Sequence, residues 1–391
     1  MGIISAMGAG IEAHARTLFA TQHGALTLTD EFSPGVAHAL GVVDSPLADM
    51  CAFPVCRHSR NNQLLLHAWG QILPQWESLS RGVEPLRVAV VLGTSTSGIR
   101  ESESAYVAGA APDDSLQNLV YERQEIAAPA AFIADLAGAQ GPIYTLSTAC
   151  TSGAKALAAG RRLLQAGLAD LVIAGGVDTL CRLTVNGFNA LAAVSTQPCN
   201  PFSANRCGIN IGEGAALFLL SRNPAALALV GAGESSDAHH ISAPDPQGRG
   251  AEVAIRQALA DAGLAPEQVG YVNLHGTATG LNDRMESHVI SRVFGLQTPC
   301  SSTKPFTGHT LGAAGAIEAV LCAVAMQRGR LPVHLWDQVR DPGLADIHLV
   351  GADSAWLAPP EERYALSTSF AFGGNNIALL LAHGDGVSHN D

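Results

Sequence analysis

Charge is scarce in this chain: 14% of its 391 residues are Asp, Glu, Lys or Arg, against roughly 25% in an average soluble domain. So little charge cannot cover the surface of a lone subunit of this size, and a substantial buried subunit interface is expected. The formal net charge is −12, which argues against nucleic acid as a partner, since phosphate binding needs a basic face. No C-x-x-C pair occurs among the eight cysteines (Cys51, Cys56, Cys150, Cys181, Cys199, Cys207, Cys300 and Cys322), and none is followed by histidines in a zinc-ligand pattern. Neither a zinc site nor a disulfide framework is suggested. No apolar run reaches the roughly 20 residues that span a bilayer; the longest weakly polar stretch, Gly312 to Met326, is shorter and contains Glu318. Met1 to Ala20 has no basic residue ahead of its apolar part and includes Glu12 and His14, which is not a secretory pattern. A cytoplasmic location is expected. Low-complexity tracts and short-period repeats are also missing.

Hydrophobic residues make up 47% of the chain, enough for two or three sizeable cores. Short apolar or β-branched runs at Arg87–Leu92, Ile143–Ser147, Leu171–Val177, Ala226–Val230, Tyr271–Leu274 and Tyr364–Ser369 read as buried strands. Between them, Ser152–Gln165, Glu252–Ala262, Asn282–Phe294 and Leu311–Gln327 carry helical spacing. This alternation predicts an α/β fold with mostly parallel sheets covered on both faces. Arg222-Asn223-Pro224, after GEGAALFLLS and before a new strand, is a plausible boundary between halves spanning 1–222 and 223–391.

Four segments carry chemistry. In Tyr144-Thr-Leu-Ser-Thr-Ala-Cys150-Thr-Ser-Gly-Ala-Lys155, a cysteine stands where a strand gives way to an Ala-rich helix. Free N–H groups and the helix dipole there favour a thiolate and are expected to lower its pKa. Read alone, Cys150 serves equally well as a buried thiol. In Gly270-Tyr-Val-Asn-Leu-His275-Gly-Thr277-Ala-Thr279-Gly-Leu-Asn-Asp283, a histidine just past a strand end is followed by two hydroxyl residues. Ser301-Ser-Thr-Lys304-Pro-Phe-Thr-Gly-His309-Thr-Leu-Gly sets Lys and His a short loop apart, before a helix of small residues. Finally, Ser367-Thr-Ser-Phe-Ala-Phe372-Gly373-Gly-Asn-Asn376 is a strand broken by two glycines, a loop able to turn N–H groups toward an oxyanion. Taken one at a time, the two histidines and this loop also have ordinary structural readings.

Together and in this order, the four segments resemble the β-ketoacyl-[acyl-carrier-protein] synthases of the Cys-His-His type, which include synthases I and II and polyketide ketosynthases. Pro201-Phe-Ser-Ala-Asn-Arg206-Cys-Gly-Ile-Asn-Ile-Gly-Glu213-Gly and Ser236-Asp-Ala-His-His-Ile-Ser-Ala-Pro244 extend the resemblance, which covers roughly Leu86 to Leu381. It implies the thiolase-like fold, two similar halves in a five-layered αβαβα arrangement with the active site between them. It also implies decarboxylating condensation of an acyl thioester, held on Cys150, with a malonyl thioester. The Cys150 and Phe372 N–H groups would form the oxyanion hole, and His275 and His309 would steady the enolate. Lys304 would disfavour imidazolium. Thr277, Thr279, Phe372 and Gly373 would hold the phosphopantetheine arm, with Asp283, Glu286 and Glu318 as supporting acids. No metal or organic cofactor is expected.

The expected partners are an acyl carrier protein and a second subunit of the same fold, meeting along Ile143–Ser147. A homodimer is the default and a heterodimer with a ketosynthase homologue the alternative. Because carriers are acidic like this chain, a local basic patch is expected, and Arg57, Arg60 and Arg100 are its candidates; a solvated helix face is the competing reading. Two departures stand out: the chain opens where the family's first strand should be ending, and Asn375-Asn376 stands where many fatty-acid synthases have Thr-Asn. The latter hints at polyketide or polyene assembly. A thiolase would need a cysteine in the loop that here reads Phe372-Gly373-Gly374, and a Cys-His-Asn starter synthase would want Asn in place of His309. A chain-length subunit would lack the nucleophile.

Overall fold

In the computed structural model, which describes residues 1–20, 23–108 and 119–384, the apolar runs form two separate sheets. The first contains β1 (Gly2–Ser5), β2 (Val88–Gly93), β3 (Ile143–Leu146), β4 (Leu171–Asp178) and β5 (Gly214–Ser221), in spatial order β1-β5-β4-β2-β3. The second contains β6 (Leu227–Ser236), β7 (Tyr271–Asn273), β8 (Pro299–Ser301), β9 (Arg363–Phe370) and β10 (Asn375–His383), in order β6-β10-β9-β7-β8. The strand senses match as well. Each sheet also has a sixth strand of two residues, Gly8–Ala9 beside β1 and His348–Leu349 beside β8; among the five named strands of each, the first two pairings are antiparallel and the next two parallel. The two halves therefore repeat one design, a likeness that hydrophobic periodicity does not disclose.

Helices α1 (Arg60–Leu79) and α2 (Ala128–Ala137) cover the outer face of the first sheet, where Leu64, Leu65 and Ile133 join Val90, Leu92 and Leu217 in one core. On the far side, α4 (Arg249–Ala262) and α5 (Gly280–Phe294) do the same for the second sheet, through Ile255, Val289, Val272 and Leu380. Between the sheets lie α3 (Ser152–Gln165) and α6 (Ala314–Arg328), packed against Ala89, Val91 and Val172 on one side and Ile377 and Leu379 on the other. Alternate residues of β2 thus face different cores, and for that reason the strand reads as an unbroken apolar run rather than an alternating one. The layers are αβαβα.

Helix α6 is apolar all round because it has no solvent face: Ala314 to Met326 are buried without exception. Leu311–Arg328 is long and apolar enough to cross a membrane by composition, yet 89% of it is buried inside the protein, the position of a core helix.

Sequence periodicity missed α1 and α2. The segment expected to form a basic helix, Arg57 to Arg60, is instead the end of a single turn at Val55–Arg57 and the start of α1, whose cap Ser59 accepts from the Asn62 N–H at 3.2 Å. Among the described residues, β1 has four and β6 has ten.

The central helices touch at glycine distance. A Cβ on Gly315 would lie 2.6 Å from the Cβ of Ala154, and one on Gly153 would lie 2.8 Å from the Gly312 carbonyl oxygen. We expect Gly315→Val to force α3 and α6 apart, costing about 1–3 kcal/mol, read as a lower urea midpoint with an unchanged slope.

Candidate active site

The turn between β3 and α3 is tied by its own hydroxyls. Ser152 Oγ accepts from the Thr148 N–H at 2.8 Å, and Thr151 Oγ1 donates to the Thr148 carbonyl at 2.7 Å. Ala149 is held at φ +53°, a conformation costly for a residue with a Cβ, and Cys150 follows at the head of α3. His275 leaves the end of β7 in a loop gripped by Glu286 of α5. That carboxylate accepts from the His275 N–H and the Gly276 N–H, both at 2.7 Å, and from the Thr368 hydroxyl at 3.0 Å. His309 belongs to the second half in sequence but is stitched to the first. Its N–H donates to the Asn210 carbonyl at 2.6 Å, and its carbonyl accepts from the Gly212 N–H at 2.9 Å.

The three side chains converge at one end of a cavity of about 560 Å³, whose walls include Phe188, Ile209, Arg206, Thr277, Thr279 and Phe372. Cys150 Sγ lies 2.9 Å from His309 Nε2, and the two imidazole rings meet edge to face with centroids 5.3 Å apart. Their ligand atoms fall within 4.8 Å of one another, a spacing a metal ion could also use; the Lys304 cation opposes a dication there.

Lys304 is 2% exposed and donates to Glu318 at 2.6 Å, an ion pair sealed inside the protein. The carboxyl of Glu318 is pushed up by burial and pulled back by that lysine. Burial holds His275 well below the ordinary imidazole pKa, reinforced by Lys304 and His309; His309 is lowered by burial and then by Lys304. Both rings are neutral. His309 Nδ1 is buried with no partner among the described residues, which favours the tautomer carrying its proton on Nε2, since a bare lone pair is cheaper to strand than an N–H. That N–H then donates to Cys150 Sγ.

The thiol departs from expectation: burial pushes it up to about 12, and Lys304, the Phe372 N–H and its own N–H only partly offset this. The same two N–H groups expected to form an oxyanion hole do aim at the sulfur. Thr277 and Thr279 line the cavity with their hydroxyls 3.0 Å apart. Phe372 also lines it, its ring 5.7 Å from that of Phe188.

Gly373 is not among the residues that line the cavity, and its N–H donates to the Ile241 carbonyl at 2.7 Å. Its φ of +83° shapes the loop instead. Asp283 accepts from the Phe202 and Ala278 N–H groups at 2.8 and 3.2 Å, a buried brace with its carboxyl raised to about 6 by desolvation. Glu286 is raised to about 7 by the same cause.

All three docking candidates are paired with acids. Arg60 turns inward, donating to buried Glu213 at 2.5 and 2.8 Å, because that carboxylate needs a cation more than the surface does. Arg57 pairs with Asp135 at 2.5 Å and Arg100 with Glu31 at 3.1 Å. Sequence reasoning gave no role to Asp178, to Glu213 or to the wall formed by Phe188 and Ile209. A lone acid closing the apolar run Leu171 to Val177 was the available signal for Asp178.

The models of the β-ketoacyl synthase N-terminal and C-terminal domains match residues 55–226 and 227–336. The chain belongs to the β-ketoacyl synthase family. Among its relatives, nodulation protein E of Rhizobium meliloti is 35% identical over 310 residues, 76% of this chain and 75% of that protein. The mitochondrial 3-oxoacyl-[acyl-carrier-protein] synthase of Arabidopsis thaliana is 37% identical over 63% of this chain, a match spanning only 57% of that protein. Among solved structures, the ketosynthase in complex with its chain length factor from Xenorhabdus doucetiae superposes with a TM-score of 0.91 at 43% identity, covering 98% of this chain and 96% of that one. The thiolase-like fold of these synthases is the architecture described above.

Lys304 and Lys155 are the only lysines in the sequence. Replacing Lys304 with Met removes the cation that disfavours imidazolium. We expect both histidine pKa values to rise toward 6.5, so that each ring stays neutral only above a higher pH than in the wild type; titration of labelled histidine signals by NMR checks the sign.

Proposed function

We propose that this chain is an active β-ketoacyl synthase, condensing an acyl group held on Cys150 with a malonyl unit delivered by an acyl carrier protein in fatty acid or polyketide assembly. The observation that carries this reading is the contact of Cys150 Sγ with His309 Nε2 at 2.9 Å beside a second neutral imidazole in one cavity. A chain-length subunit would have no use for that arrangement.

In the first half-reaction, Cys150 sulfur attacks the acyl thioester carbonyl, and the oxyanion is met by the Cys150 and Phe372 N–H groups. The arm's sulfur leaves with the proton that Cys150 gives up. The malonyl thioester then occupies the same cavity, its arm held by the Thr277 and Thr279 hydroxyls. Breaking its carboxyl C–C bond releases carbon dioxide and leaves the electron pair in an enolate. Neutral His275 and His309 stabilise that enolate as hydrogen-bond donors; imidazolium would protonate it. The enolate carbon attacks the acyl carbonyl on Cys150, forming the new C–C bond and returning the thiolate. No metal or organic cofactor enters this scheme, and the phosphopantetheine comes with the carrier.

We further propose that β3, the edge strand of the first sheet with Ile143 39% exposed, pairs with a second subunit of the same fold. Two observations support a chain length factor as that subunit: the Xenorhabdus structure above, and the ishigamide ketosynthase/chain length factor, 26% identical with a TM-score of 0.81. A homodimer is the competing arrangement. The cytoplasmic location expected from the sequence belongs with this reading.

Incubation with cerulenin, an acyl-mimicking electrophile, followed by peptide mass spectrometry, is expected to give one adduct, on Cys150, absent from Cys150→Ala. Labelling spread over several cysteines, or no adduct, would count against an activated nucleophile.

A further inference from the structure

Asp178, the last residue of β4, is fully buried and accepts five hydrogen bonds. Four reach Oδ1 from the first half: the Thr94 and Thr96 hydroxyls at 2.7 and 2.8 Å, and the Ser95 and Thr96 N–H groups at 2.7 and 2.9 Å. The fifth crosses to the second half, where Oδ2 accepts from the Gly312 N–H at 2.6 Å. Gly312 lies three residues after His309, in the single turn Leu311–Ala313 that leads into α6. Between them, Leu311 is held at φ +47°, a strained conformation for a branched side chain. A Cβ on Gly312 would meet Asp178 Oδ2 at 2.8 Å, so the carboxylate and this turn touch at backbone distance.

The His309 main chain is therefore fixed at two points, both on the first half. Asn210 and Gly212 hold its own peptide groups, and Asp178 holds the strained turn that follows. Among the described residues, nothing bonds the ring at Nδ1. Because the side chain has no anchor of its own behind Nε2, its aim depends on the backbone that carries it.

We propose that Asp178 is a positioning residue for His309: by clamping Gly312 it sets the imidazole that donates to the enolate, and it does so without touching the reacting atoms. This rests on the synthase reading above. Acyl transfer to Cys150 relies on the Cys150 and Phe372 N–H groups for its oxyanion and meets His309 through the Nε2 contact with the sulfur, whereas the enolate is held by the imidazoles themselves, so Asp178 bears on decarboxylation more than on acylation.

Asp178→Asn separates its two functions. With the amide oxygen turned to the four donors on Oδ1, the amide nitrogen faces the Gly312 N–H, donor against donor, and only the clamp is lost. Two rates are measured on wild type and variant. The first is acylation of Cys150 by acetyl-, hexanoyl- and octanoyl-N-acetylcysteamine, followed by intact mass. The second is carbon dioxide release from malonyl-N-acetylcysteamine.

The expected result is decarboxylation slowed about tenfold or more, as displacement of a catalytic group by a fraction of an ångström allows, with acylation within about threefold of wild type. Unchanged decarboxylation, or an equal fall in both rates, overturns the proposal. Wild-type protein that performs neither step overturns the synthase reading and this proposal with it. If Asp178→Asn does not fold, Gly312→Ala breaks the same contact from the other side and is judged by the same split.

Discussion

The close contact of α3 with α6 at the centre of the molecule is the constraint from which the site follows. Each helix is the buried crossover of its own half, and each begins just after a catalytic candidate, Cys150 before α3 and His309 ahead of α6. Bringing the helices together at Gly153, Ala154, Gly312 and Gly315 brings their leading ends together too. Any larger residue along that seam separates the thiol from the imidazole as surely as it opens the core. Packing and chemistry are here one geometric condition.

The scarcity of charge has a counterpart inside. With both sheets covered on both faces, Cys150, His275 and His309 are buried at the cavity wall, and burial is the largest influence on their protonation. The thiol is driven up and the imidazoles down, so all three are neutral, while Lys304 and Glu318 are tied to each other. A neutral site suits chemistry that must hold a carbanion equivalent without protonating it. It also means that the sulfur is not a resting thiolate.

Much of this was legible in the sequence, for particular reasons. Strands such as Val88–Gly93 are continuous apolar runs because two layers cover them, and that signal survives without context. Cys150, His275, His309 and Lys304 stand at element ends, in short glycine- and hydroxyl-rich turns that do not look like core. Helix α1 was missed because its buried face begins with Asn61 and Asn62 and Pro74 lies inside it, so its helical signal is interrupted. Arg60 and Gly373 were assigned to surface and ligand because nothing local shows that Glu213, 153 residues away, or Ile241 claims their hydrogen bonds.

What the sequence determined by itself is the order of elements and the set of reactive groups, since both are written in local spacing and residue type. Only the tertiary structure decided how those groups are charged and aimed. Protonation depends on how completely the site is desolvated, and the aim of His309 depends on Asn210, Gly212 and Asp178, which lie far away along the chain. Burial and long-range hydrogen bonding are properties of the packed whole, and no window of neighbouring residues contains them.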